Sequence, residues 1–278
     1  MDILARCESS RIQILENEHL KPILVQNASP NRRPYIHPIL APVSKGCITE
    51  NEPWHHIWQH GLYTGLHGVN GWDFWTEGLS KGGLKKDGTF HPYTLEHPII
   101  NENKAKWNVI CEWKERKGLP LLTEDQRWTF THNESYYFLD LDWRLTARQQ
   151  ICFEQCKYGG LFLRIPYREG VEAHLANSEG KTISDAEGKR ARWLAVDIIP
   201  PDMKYAAGIA IFDHPENITF PVSWRADKQY GVSPSPCILA KSSLEEGQTR
   251  HERYRLYIFD GSINKTKIEQ YWNEFAKE

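Results

Sequence analysis

The stretch Tyr137-Phe-Leu-Asp-Leu-Asp-Trp-Arg-Leu-Thr146 places an apolar side chain at every second position and a mostly polar one between. Successive side chains of a β-strand point to opposite faces, so this alternation predicts a strand with one buried and one exposed face. Similar runs predict further strands at 126–132, 161–165, 192–198, 208–212 and 253–259. The sequence therefore predicts an all-β protein.

One segment near the C-terminus has a helical pattern instead. Its apolar residues recur at three- and four-residue spacing, at Ile268, Tyr271, Trp272 and Phe275. Thr266 and Glu269 have the spacing of a capping box, which predicts a helix over 265–277. Many strands with a single helix indicate a β-sandwich, and we expect residues 1–278 to form one domain. Residues 78–104 are rich in Gly, Lys and Pro, which predicts a surface excursion.

The composition is typical of a globular protein, with 40% hydrophobic and 25% charged residues. Lys and Arg total 34 against 36 Asp and Glu, and no basic stripe develops, which argues against nucleic acid as a partner. No apolar run reaches the roughly 18 to 20 residues of a membrane helix, and the N-terminal residues lack the apolar core of a signal peptide. We therefore expect a soluble protein without membrane contact. Its six cysteines include no Cys-x-x-Cys pair of the zinc or thioredoxin kind. On one strand Cys152 and Cys156 would lie about 13 Å apart, too far for a disulfide, so free thiols or buried small apolar residues are expected.

The stretch from Pro53 to Trp75 contains four histidines and four tryptophans. Imidazole has an unperturbed pKa near neutrality, so a cluster of histidines can transfer protons or bind a metal. Tryptophan offers a flat apolar face for a sugar ring and one N–H donor. Each residue type also occurs as a hydrogen-bonded core residue, but their density here favours the wall of a binding site.

The conformation of residues 54–60 decides which of these side chains point together. In an extended segment His56, Trp58 and His60 share one face. In a helix His56 and His60 have the spacing of two zinc ligands, but the Glu of a His-Glu-x-x-His motif is absent. The metal signal is therefore weak.

Further candidate side chains follow along the chain. Asn70-Gly71 predicts a two-residue hairpin turn, because both central positions of a type I′ turn need positive φ. Asp73 follows and can either hold a donor at the site or cap the turn. Arg164 ends an apolar run, where it can form a surface ion pair or bind an oxygen-rich ligand. Asp213 and His214 close another run ahead of Trp224, and Asp213 can equally cap a turn.

Several motifs in order resemble the PmoA-like family, and the resemblance runs from about residue 20 to the C-terminus. They are Arg33-Pro-Tyr-Ile-His-Pro38, the histidine-rich 53–62, Val69-Asn-Gly-Trp-Asp-Phe-Trp75, Gly159-Gly-Leu-Phe-Leu-Arg164, Ala191-Arg-Trp193 and Gly208-Ile-Ala-Ile-Phe-Asp-His-Pro215, with Trp224. The resemblance implies a bacterial protein of unknown function, in the cytoplasm or periplasm, with a sandwich similar to the galactose mutarotase supersandwich. It also implies a small-molecule carbohydrate as partner. Where the family commonly shows His-Pro-His-His-Arg-Gly-Leu, His60 stands at the position of that Arg.

The leading hypothesis is a carbohydrate-active enzyme that performs hydrolysis, β-elimination or epimerisation, on a sugar, a glycoside or an oxidised 3-keto sugar. The residues expected to exchange protons are His56, His60, Asp213 and His214. The residues expected to bind the sugar are His55, Trp58, Asn70, Asp73, Trp75, Arg164 and Trp224. No cofactor or metal is expected, because no ligand set has the spacing of a zinc site. The oligomeric state is left open.

Two alternatives remain beside this hypothesis. A non-catalytic carbohydrate-binding module would use the same aromatic residues, while the histidines would be structural. A metal-dependent hydrolase or oxygenase would use two histidines and Asp213 as ligands.

Overall fold

The structure is a computed structural model that describes residues 3–16, 21–79, 86–200 and 203–278. These residues form nineteen strands, a short 3-10 helix at Pro236–Ile238 and one α-helix, α1, at Lys265–Phe275. The strands are β1 (Ile3–Glu8), β2 (Arg11–Glu16), β3 (Leu24–Asn27), β4 (Tyr35–Ile39), β5 (Leu62–Gly65), β6 (Thr89–Pro92), β7 (Ile99–Asn101), β8 (Lys104–Lys114), β9 (Pro120–His132), β10 (Tyr136–Ala147), β11 (Ile151–Phe153), β12 (Gly160–Leu163), β13 (Ala173–Asn177), β14 (Trp193–Ile198), β15 (Ala207–Asp213), β16 (Trp224–Ala226), β17 (Val232–Pro234), β18 (Ser242–Leu244) and β19 (Thr249–Asp260).

Two large sheets contain most of these strands. The eight-stranded sheet has the order β1-β2-β3-β4-β5-β12-β17-β16. The nine-stranded sheet has the order β13-β14-β15-β19-β10-β9-β8-β6, with β7 also paired with β8, while β11 and β18 form a separate pair. Apolar residues of both large sheets meet in one core cluster. The fold is a β-sandwich with a C-terminal helix, as the sequence predicts.

Alternating burial along the long strands explains why these segments are strands. In β10 every second side chain is buried, from Tyr137 to Ala147, and β8 shows the same alternation. The buried carboxylate of Glu124 on β9 accepts hydrogen bonds from the indoles of Trp113, at 3.0 Å, and Trp143, at 2.7 Å. Thr64 of the other sheet donates to the same carboxylate. One buried acid therefore satisfies polar groups from both layers.

Helix α1 packs on the outer face of the nine-stranded sheet. Its buried residues Ile268, Trp272 and Phe275 belong to a second apolar cluster with residues of β14, β15 and β19. The predicted capping box is wrong, because Asn264 caps the helix by accepting from the backbone N–H of Lys267 at 3.1 Å. Glu269 instead accepts from the side chains of Arg192, at 2.7 Å, and Trp193, at 2.6 Å.

Other sequence-based expectations concern the 78–104 stretch, the cysteines and the membrane. Within 78–104, residues 80–85 lie outside the described residues, while β6 and β7 pair with β8 at the edge of the nine-stranded sheet. All six cysteines are free, as expected. In the described part of the chain, no helix has the length and apolar character needed to cross a membrane.

Candidate functional site

A cavity of about 760 Å³ lies on the face of the eight-stranded sheet that is turned away from the sandwich core. Strand β12 shows how this face arises, because Leu161 and Leu163 belong to the core whereas Phe162 between them joins a separate aromatic cluster. Loops from distant parts of the chain surround Phe162. One wall of the cavity is aromatic and the other is charged.

The aromatic wall consists of Trp58, Trp75, Tyr158 and Phe162. The Trp75 ring lies 4.9 Å from that of Tyr158 and 5.3 Å from that of Phe162, measured between centroids. Trp58 is half-buried, and its indole N–H has no hydrogen-bond partner among the described residues. The wall thus combines flat apolar faces with one free donor.

Residues 51–60 form the loop that carries Trp58 and His56 into the cavity. The segment 54–60 is neither extended nor helical, so both sequence-based conformations are wrong. Two turns replace them, with His56 N bonded to the carbonyl of Pro53 and Gln59 N to the carbonyl of His56, each at 2.9 Å. The loop closes where Gly61 N donates to the carbonyl of Glu50 at 2.7 Å. The short turns aim His56 and Trp58 at the same space.

His56 is the histidine that lines the cavity. Its ring stands edge-on to Trp58, at 5.1 Å between centroids, and its buried Nδ1 has no partner among the described residues. Burial lowers the pKa of His56 below its ordinary 6.5, and the neighbouring His55 and Arg164 lower it further. His56 is therefore a neutral imidazole at neutral pH, with a nitrogen that can accept a proton.

Arg164 lies one layer behind the cavity and is fully buried. Its guanidinium contacts Glu50 at 3.2 Å, Gln229 at 3.4 Å and His55 Nε2 at 3.1 Å. A guanidinium has no acceptor, so Nε2 of His55 accepts and the proton of His55 sits on Nδ1. Arg164 thus orients His55 and Gln229 and does not itself line the cavity.

His60 also lies behind the wall and is only 1% exposed. Its Nδ1 bonds Asn51 Oδ1 at 2.9 Å and its Nε2 bonds Glu77 Oε2 at 2.7 Å. Burial alone would raise the pKa of Glu77, but Arg33 and His60 outweigh it and lower that pKa to about 2. With both ring nitrogens engaged, His60 supports the loop and does not face the cavity.

The charged wall comes from the loop before β14 and from the β16–β17 hairpin. Glu187, Arg225, Asp227 and Lys228 line it. Glu187 Oε1 accepts from Arg225 Nη1 at 2.5 Å, and its Oε2 accepts from the backbone N–H of Ala226 at 2.6 Å. Asp227 Oδ1 accepts two backbone N–H groups of its own hairpin, at 2.9 and 3.0 Å.

Three predicted sugar-binding residues lie away from the cavity. Asn70 has φ of 50° and Gly71 of 74°, which confirms the hairpin turn, and the Asn70 amide bonds the backbone of the 150–152 segment. Asp73 is buried and accepts from Trp75 N at 2.8 Å and from Thr76 Oγ1 at 2.6 Å. Trp224 is fully buried and donates to a backbone carbonyl at 2.9 Å. Each of these side chains stabilises a neighbouring segment.

The pair Asp213 and His214 lies in the other sheet, beside α1. Asp213 accepts from Asn217 Nδ2 and Val222 N, each at 2.7 Å, and burial raises its pKa to about 7. His214 packs against Phe275 of α1 at 4.9 Å. Neither residue lines the cavity with His56, and among the described residues no group of three His, Cys, Asp or Glu side chains is placed to hold a metal.

Sequence reasoning missed most of the charged wall and part of the aromatic one. The missed residues that matter are Tyr158, Phe162, Glu187, Asp227, Lys228 and Gln229. A signal for Phe162 was present, since alternation around Leu161 and Leu163 turns it to the opposite face. The loop residues have no periodic pattern that could reveal them.

The fold and the cavity define a β-sandwich protein with a candidate ligand site on the outer face of one sheet. The chain belongs to a family of unknown function (DUF6807), whose profile matches residues 24–273. This match overturns the resemblance to the PmoA-like family, which is wrong. A comparison with curated proteins gives no match.

One solved structure similar to this chain is a galactose mutarotase related enzyme from Lactobacillus acidophilus. The two share 6% sequence identity and a TM-score of 0.39, and the match covers 95% of this chain and 98% of that enzyme. The GH36 alpha-galactosidase AgaB from Geobacillus stearothermophilus has 9% identity and a TM-score of 0.44, over 94% of this chain. The alpha-galactosidase from Lactobacillus brevis has 10% identity and a TM-score of 0.33, over 98% of this chain. This chain spans 41% of each galactosidase. Likenesses at these TM-scores support no statement about function.

Proposed function

We propose that the protein binds a carbohydrate in this cavity and acts on it through proton transfer by His56. The observation that carries the proposal is the aromatic wall facing a charged wall, with an unpaired neutral imidazole in the same lining. A sugar ring has apolar C–H faces, which suit Trp58 and Trp75, and a polar edge, which suits the opposite wall. The volume of about 760 Å³ lies within the usual range of small-molecule sites.

The state of the lining carboxylates supports His56 as the base. Both carboxylate oxygens of Glu187 accept hydrogen bonds, one from Arg225 and one from a backbone N–H. One carboxylate oxygen of Asp227 accepts hydrogen bonds from two further backbone N–H groups. A glycosidase of the common kind needs two carboxyl groups free to act on the substrate. A neutral imidazole can instead remove a proton from the sugar. This favours β-elimination or epimerisation over hydrolysis by paired carboxylates.

A second candidate is binding without turnover. It is favoured by the same engaged carboxylates, because they leave His56 without an evident acid to act as its partner. The aromatic wall alone would then account for affinity, and His56 would only contribute a hydrogen bond.

The test replaces His56 by Gln and measures turnover of methyl glycosides and their 3-keto derivatives. Loss of a general base should lower the rate by about 10² to 10⁴, while affinity changes little. His174→Gln is the matched control, because His174 is an exposed histidine of β13 outside the cavity. Unchanged turnover in His56→Gln would remove His56 from the mechanism. If the wild type and all variants show no turnover, and Trp58→Ala weakens sugar binding, the protein is a binding module.

The pH dependence of turnover provides a further prediction for His56. A base must be unprotonated, and burial holds the pKa of His56 below 6.5. We therefore expect kcat/KM to be level through neutral pH and to fall only in acid, below pH 6.5. An acid limb centred above pH 6.5 would contradict this role.

A further inference from the structure

We infer that the sugar bound in this cavity carries a carboxylate, so that the ligand class is the uronic acids and their glycosides. The inference rests on the proposed function, because it names the ligand class of the same cavity. It follows from the groups that the protein leaves free there. The free groups of the charged wall are mainly hydrogen-bond donors, whereas most acceptors are already engaged.

Three of the four carboxylate oxygens of the charged wall accept hydrogen bonds from the protein itself, whereas Asp227 Oδ2 accepts none from the described residues. Glu187 binds Arg225 and the N–H of Ala226. Asp227 Oδ1 binds the N–H groups of Gln229 and Gly231, and its Oδ2 lies 4.0 Å from Arg225. A neutral sugar binds carboxylates by donating its hydroxyl hydrogens to them, and here those oxygens are largely taken.

Gln229 adds a free donor because of Arg164. The Nη1 of Arg164 donates to Gln229 Oε1 at 3.4 Å. Since the guanidinium can only donate, the amide oxygen must face it, and the NH₂ group is the end left for a ligand. The buried Arg164 therefore fixes which end of Gln229 serves the cavity.

Lys228 supplies the free cation. Its side chain is exposed and lines the cavity, and no carboxylate within the described ranges forms an ion pair with it. Asp227 forms no ion pair with Lys228, because its bonds go to backbone N–H groups and its ion contact goes to Arg225. The ammonium group has three donors and no acceptor. A ligand carboxylate would form charge-assisted hydrogen bonds with Lys228 and the Gln229 amide, and these are stronger than neutral ones.

The ordinary alternative is that Lys228 is a solvated surface lysine with no role. In that case a neutral sugar and its uronate would bind alike. Lys189 provides the comparison, because it is an exposed lysine two residues beyond Glu187 that does not line the cavity.

The experiment measures the affinity of matched pairs of methyl glycosides, namely glucose and glucuronate, galactose and galacturonate, and mannose and mannuronate. Wild-type protein should bind the uronate of at least one pair about ten times more tightly, and added salt should reduce this preference. Lys228→Gln should remove most of the preference, whereas Lys189→Gln should retain it.

The outcomes separate this inference from the proposed function. If neutral sugars and uronates bind equally well, and Trp58→Ala weakens the binding of both, the inference that the ligand carries a carboxylate is overturned. The proposed function would still stand. A preference that survives in Lys228→Gln would overturn the assignment of Lys228. Tighter binding of a hexose 6-sulfate than of every uronate would show that a different anion is recognised. Binding of none of these ligands would defeat the proposed function and the inference together.

Discussion

At the residue scale, the position of Arg164 shows what a sequence can and cannot reveal. The apolar run before it predicts a strand end, and that is where the residue lies. The sequence left open a surface ion pair or a ligand contact, yet Arg164 is fully buried and bonds Glu50, which is 114 positions away along the chain. A partner so distant leaves no local pattern. His60 has nearer partners, Asn51 and Glu77, which lie 9 and 17 positions away, but these spacings also match no periodic pattern.

Two arginines on one carboxylate give a residue-scale prediction. Glu50 is bound by the buried Arg164 and by Arg168, whose side chain is 47% exposed. Arg164→Leu should lower the free energy of unfolding by about 3 to 5 kcal/mol, because it leaves buried polar groups without their charged partner. Arg168→Gln should cost about 1 kcal/mol or less, because an exposed pair contributes little. Urea unfolding of both variants tests this, and equal losses would contradict it.

At the scale of elements, several alternating strands and the Asn70-Gly71 turn were predictable, whereas the loops that line the cavity were not. Strand β10 was found from its alternation, since one face must be buried whatever its neighbours are. The 54–60 loop has no such rule, because its turns are set by hydrogen bonds among Pro53, His56 and Gln59. The charged wall likewise comes from loops, so its residues could not be assembled before the fold was known.

The start of α1 gives the element-scale prediction. Asn264 accepts from Lys267 N, whereas the expected capping residue Thr266 lies inside the helix. Asn264→Ala should therefore lower the free energy of unfolding by about 1 kcal/mol, the usual cost of losing an N-cap. Thr266→Ala should change it by less than about 0.5 kcal/mol. Thermal unfolding compares the two, and a larger loss for Thr266→Ala would restore the capping box.

At the scale of the whole molecule, polar groups tie distant segments together around an apolar core. Glu124 binds Thr64 across the sandwich, and Glu77 joins Arg33 and His60 behind the cavity. The hydrophobic pattern was sufficient to predict the sandwich, because burial of alternate residues drives its two layers together. The hydrophobic pattern could not predict these buried acids, because their partners come from separate strands and loops.

Glu77 makes the stability of the whole molecule depend on pH in acid. Its pKa is about 2 in the folded protein against an ordinary 4.5, because Arg33 and His60 outweigh the effect of burial. The unfolded chain therefore binds this proton first as the pH falls. The stabilisation is complete above pH 4.5 and is lost progressively between pH 4.5 and about 2.

Replacing Glu77 by Gln should lower the free energy of unfolding at pH 7, because Arg33 and His60 lose their charged partner. The variant should then lose less additional stability than the wild type between pH 4.5 and 2, since it has no proton to bind at this position. Urea unfolding at several pH values measures both effects. Glu134→Gln, at an exposed position, should keep the wild-type slope. If the stability of Glu77→Gln and of the wild type falls in parallel with pH, the contacts with Arg33 and His60 do not lower the pKa of Glu77.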